Sequence, residues 1–164
     1  HMDEPTAGWK VLVGLLKPGG LMRIGLYSEL ARSQIVKARR QIASAGIGTS
    51  ATEIRNFREL SRESEIHDVK QLSTFSDFFS LSEFRDLVFH VQEHRFTLPQ
   101  IKNCLDELGL KFCGFENQDV ISISNFRELH GKEADIYDLD LWHQYEERYP
   151  EAFVGMYQFW CQKP

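Results

Sequence analysis

The break at Lys17-Pro18-Gly19-Gly20 constrains this chain more than any other feature. Before it, Trp9, Leu12, Val13 and Leu16 recur at helical spacing and form one apolar stripe. Proline cannot continue the hydrogen-bond ladder and glycine accepts a positive φ, so a helix over about Thr6–Leu16 must stop there. The next residues, Leu21–Tyr27, are apolar at Leu21, Met22, Ile24 and Leu26, on both faces of an extended chain, as in an internal strand. Helix, tight turn and strand make the repeating unit of an α/β protein.

From Ser28 to Leu110 the pattern turns helical. Glu29–Ala45 reads as one helix, stopped by Gly46-Ile47-Gly48. Ser50-Ala51-Thr52-Glu53, Ser80-Leu81-Ser82-Glu83 and Thr97-Leu98-Pro99-Gln100 each have the form of a capping box, in which two side chains satisfy the free amides of a helix start. Apolar stripes follow each: Ile54, Phe57 and Leu60; Phe84, Leu87 and Val88; Ile101, Leu105 and Leu108. Lys111–Glu116 and the aromatic run Gly155–Gln162 have strand character, with helices over about Val120–Leu129 and Leu139–Arg148 between them. The chain reads as a single α/β domain over residues 1–164, with residues 28–110 mainly a helical insertion or cap.

Composition limits the function classes. Apolar residues make up 42% of the 164, enough for a packed core. Nineteen basic against 24 acidic residues give a net charge of −5, which offers no electrostatic footprint for nucleic acid or an anionic membrane. The apolar run Val11–Leu16 is far shorter than the roughly 20 residues that span a bilayer, and no cleavage site follows it. Cys104, Cys113 and Cys161 are odd in number and lack paired short spacing, which argues against a disulfide framework or structural zinc and points to a reducing cytoplasm.

Three stretches carry a family resemblance. Trp9–Ser28, with its Leu-Lys-Pro-Gly-Gly turn, resembles the helix, turn and fifth strand of class I S-adenosylmethionine-dependent methyltransferases. Asp138-Leu139-Asp140-Leu141-Trp142-His143 through Met156-Tyr157-Gln158-Phe159-Trp160 is similar to the end of a bacterial group of these proteins, often fused to tetratricopeptide repeats; Asp86–Glu93 is similar to that group too. The resemblance implies a small mixed three-stranded sheet, in which 155–162 lies antiparallel in the centre between 21–27 and 111–116 under a mainly helical layer. It also exposes a departure. Such enzymes begin with a strand, a Gly-rich loop and a helix that hold the cofactor, and nothing before Trp9 supplies them. No cofactor is therefore expected, S-adenosylmethionine entering only if a partner brings the missing half. Without a neighbour, the outer edge of strand 21–27 would be open, so a homodimer through that edge and the apolar surface beside it is expected.

Two groupings could carry chemistry. Helices after the fifth strand cover the acceptor in methyltransferases of this architecture, which places Tyr27, Ser28, Arg85, His90, Glu93 and His94 around an expected small-molecule pocket. His90-Val91-Gln92-Glu93-His94 also has the inverted zincin form, in which His90 and His94 would bind zinc and Glu93 would activate its water. That hydrolase needs a further protein ligand, and the sequence singles none out. Asp138, Asp140, Glu146 and Glu147 fall near a helix start, where negative charge is favourable in any case.

Overall fold

The computed structural model describes residues 2–64, 67–89, 93–116 and 120–164. The class is mixed α/β. Among the described residues the sheet has four strands rather than three, in the order β2-β1-β4-β3. β1 is Leu21–Ser28, β2 Arg95–Phe96, β3 Lys111–Phe115 and β4 Tyr157–Gln162. β4 runs antiparallel to both neighbours, with Ile24 opposite Phe159 and Phe112 opposite Cys161. The added strand β2 lies parallel to the carboxyl end of β1, Tyr27 opposite Arg95 and Ser28 opposite Phe96. Two residues are too few to show alternation; backbone pairing alone makes this strand.

Contacts divide the chain into two compact units. The first comprises residues 1–31 and 94–164 and holds the sheet. Its helices are α1 (Pro5–Leu15) before β1 and α6 (Leu98–Glu107), α7 (Val120–His130) and α8 (Leu139–Arg148) after β2. β4 alternates strictly, burying Tyr157, Phe159 and Cys161. Trp9 and Val13 of α1, Leu98, Ile101 and Leu105 of α6, and Trp142 and Tyr145 of α8 join the same core. Phe126 stacks on Trp142 with ring centroids 4.2 Å apart.

Glycine is required at two places here. Gly19 takes φ +77° in the turn between α1 and β1, and its N–H donates to Lys163 O at 2.7 Å. The Lys163 ammonium in turn donates to Val13 O at 3.1 Å and to Leu16 O, just past the end of α1, at 2.9 Å, so Lys163 closes this helix. Gly114 takes φ +108° where β3 slips register between Phe112 and Phe115, the local twist of a bulge.

The second unit is Arg32–Glu93. It contains α2 (Ser33–Ser44), α3 (Ala51–Glu63), α4 (His67–Lys70), two short 3₁₀ turns (Gln71–Thr74 and Ser76–Phe79) and α5 (Leu81–Phe89). Ile35, Ala38 and Ile42 recur at helical spacing on α2 and meet Ile54 and Phe57 of α3 and Phe84, Leu87 and Val88 of α5. Phe84 sits centrally, edge-on to Phe78 at 5.2 Å and stacked near Phe57 at 6.3 Å. The expected capping boxes at Ser50 and Thr97 close in both directions. At Ser80 the hydroxyl accepts from the Glu83 N–H at 3.5 Å.

Candidate functional site

In open α/β sheets, ligands bind outside the carboxyl ends of parallel strands. Here that place is the end of β1, in the first unit. Tyr27 is half-buried, and Ser28 is fully buried. The Ser28 hydroxyl accepts from the Ala31 N–H at 3.0 Å, which holds the turn leaving the strand, and donates to Glu146 Oε1 at 2.5 Å. Tyr157 donates its hydroxyl to both oxygens of the same carboxylate, at 2.8 and 2.6 Å. Glu146 is wholly buried, and that burial raises its carboxyl above the ordinary value, against the pull of the Ser28 and Tyr157 bonds and the nearby His143. Burial and the Glu146 charge likewise raise the Tyr157 phenol. A carboxylate taken out of water with two hydroxyl donors ties β1, α8 and β4 together at the end of the sheet.

In the sequence Glu146 reads as one of several charges near a helix start. The missed signal is its spacing: Glu146 follows Leu139 by seven residues and Trp142 by four, which puts it on the buried face of α8.

Beside this node the Glu29 N–H donates to Phe96 O at 2.9 Å, extending the β1–β2 pairing, and Arg95 Nε donates to Glu29 Oε2 at 2.9 Å. His94 lies in the same unit, with Nε2 2.6 Å from the carbonyl oxygen of Met2. The structure thus brings Tyr27, Ser28 and His94 into the first unit. Arg85 and Glu93 belong to the second. There Arg85 donates to Thr49 O at 2.8 Å, and the Glu93 carboxylate is held by Arg39 at 2.9 Å with Arg32 at 3.8 Å. His90 lies outside the described residues. Arg39 and Arg32 both engage Oε2 of the Glu93 carboxylate. Among the described residues no cluster of three His, Cys, Asp or Glu could hold a metal ion.

The cysteines are free, and burial pushes the Cys161 thiol up to about 11, so it is inert at neutral pH. Among the described residues no helix is long and apolar enough to cross a membrane. A cavity of about 490 Å³ lies in the first unit, between α1 and β1, walled by Pro5, Trp9, Leu12, Ile24, Leu26 and Phe96.

No protein-family profile matches the chain. It is similar to an uncharacterized protein of Synechococcus sp., with 26% identity over 127 residues, which cover 73% of this chain and 30% of that protein. The chain therefore spans under a third of the length of that relative.

Proposed function

We propose that this chain is the C-terminal, acceptor-side portion of a class I methyltransferase fold, a cytoplasmic and oligomeric binding domain that does not transfer methyl groups by itself. Methyl transfer would need a cofactor-binding half, which another chain could supply. The observation that carries this reading is the sheet: the strand entered through Leu-Lys-Pro-Gly-Gly lies beside a final antiparallel strand, and β3 lies on that strand's other side.

The residues present do not fit S-adenosylmethionine. The donor needs a strand that ends in a glycine-rich loop opening a helix, because only a backbone without Cβ lets a ligand so close to the helix start. β1 runs instead into Glu29-Leu30-Ala31-Arg32, with the Ser28 hydroxyl spent on the turn. Gly46, with φ +63°, ends a helix and does not start one.

Calorimetric titration of the purified chain with S-adenosylmethionine tests the reading, alongside melting in excess cofactor. No heat of binding and an unchanged melting temperature are expected, since a ligand of the native state alone must raise it. Binding at low micromolar concentration would overturn the assignment.

A further inference from the structure

A second cavity of the first unit, of about 190 Å³, opens where β3 ends and β4 begins. β1 and β3 both run antiparallel to β4 and hence parallel to each other. The cavity therefore lies outside the carboxyl end of β3, on the side of the sheet where α/β folds take ligands. Its walls differ in character. Phe115, Phe153 and Met156, all half-buried, supply an apolar side, with the two ring centroids 4.8 Å apart. Gly25 seats Met156 there, since any Cβ on that glycine would stand 2.6 Å from the methionine sulfur.

Glu116 and Gln158 supply the polar side, and one guanidinium holds both. Arg23 Nε donates to Glu116 Oε2, and Arg23 Nη2 donates to Gln158 Oε1 at 2.7 Å. The carboxylate is thus fixed in place, while its Oε1 has no bond to a described residue. Arg23 stands outside the lining, and its side chain is 51% exposed, so water screens its charge. Among the described residues that line the cavity, Glu116 is the one charged side chain.

We propose that this cavity binds a small alkylated ammonium ion, with its charge set against Glu116 and its alkyl groups against Phe115, Phe153 and Met156. Size, sign and polarity each narrow the class. The volume falls below the roughly 300–1,000 Å³ of pockets that enclose drug-sized ligands, so a nucleotide or a long chain does not fit. A carboxylate with no basic neighbour in the lining repels anions, and the negative faces of aromatic rings attract cations. Alkylation matters because an unsubstituted ammonium has three donors to satisfy, and the apolar side accepts none of them.

The inference goes beyond the reading above and does not rest on the methyltransferase resemblance, so the cofactor titration and this test fail separately. Choline is the probe, compared with its neutral isostere, the alcohol in which carbon replaces the nitrogen. Amide NMR of the intact chain is expected to show saturable shifts centred on Phe115, Glu116 and Met156. Choline should bind at least about tenfold more tightly than the isostere, the two differing only in charge. Glu116→Gln should abolish that preference. Arg23→Gln frees the second carboxylate oxygen, so this variant should bind choline at least as tightly as the wild type. If the ion pair served only to hold the strands, both variants would weaken choline alike. That result, the absence of saturable shifts, or a preference for choline that survives Glu116→Gln would overturn the proposal, as would an isostere that binds equally well.

Discussion

Glu146 shows how one side chain sets a pH dependence for the whole first unit. In the fold its carboxyl holds a proton more tightly than in the unfolded chain, where glutamate has its ordinary value of 4.5, because burial penalises the charge. The folded state therefore binds more protons over the interval between the two values, and stability must fall as pH rises through it. This contribution is fully present below about 4.5 and is lost as pH passes the folded value. Glu146→Gln keeps an acceptor for a hydroxyl and removes the charge, so its stability measured by urea unfolding should lose that downward slope. Glu146→Ala instead strands the Ser28 and Tyr157 hydroxyls and opens a void, at a cost of about 2–4 kcal/mol. Wild-type stability that climbs relative to the Gln variant across the same interval would refute the assignment.

Among elements, those written in local chemistry were legible in the sequence. The Ser50 hydroxyl accepts from the Glu53 N–H at 3.3 Å while the Glu53 carboxylate takes the Ser50 and Gly48 N–H groups, both at 3.2 Å. All the partners lie within five residues of one another, so spacing alone announced the start of α3. Ser50→Ala should cost about 1 kcal/mol in chemical denaturation and leave the first unit's core untouched; no measurable loss would mean water replaces the cap. β2 escaped notice because its reason for existing lies far upstream, in the open backbone of Tyr27 and Ser28. The bulge at Gly114 and the burial of Glu146 likewise depend on partners distant in the chain. For the candidate site the sequence offered the carboxyl end of β1, and Tyr27, Ser28 and His94 share its unit. It did not reveal that Ser28 is spent on Glu146 and Ala31, nor that Arg39 and Arg32 hold Glu93.

At the scale of the molecule, a continuous helical stretch over residues 28–110 conceals a division between two hydrophobic clusters. α6 contributes Leu98, Ile101 and Leu105 to the cluster of the sheet, while Ile35, Ile54, Leu72, Phe84 and Val88, all between Arg32 and Glu93, belong to the other. Each cluster has its own aromatic centre, Phe84 in one and Phe159 in the other, both fully buried. Protection of backbone amides reports cooperative units, and a unit weakened at its centre opens before the rest. Phe84→Ala removes the ring that Phe57 and Phe78 both pack against and should cost about 3–5 kcal/mol. Hydrogen exchange of that variant is expected to lose protection through α2, α3 and α5 while the amides of β1 and β4 keep theirs. Phe159→Ala should do the reverse, because that ring touches Trp9, Phe112 and Phe115 in the sheet's own core. Equal loss in both regions from either substitution would show that the two clusters unfold as one.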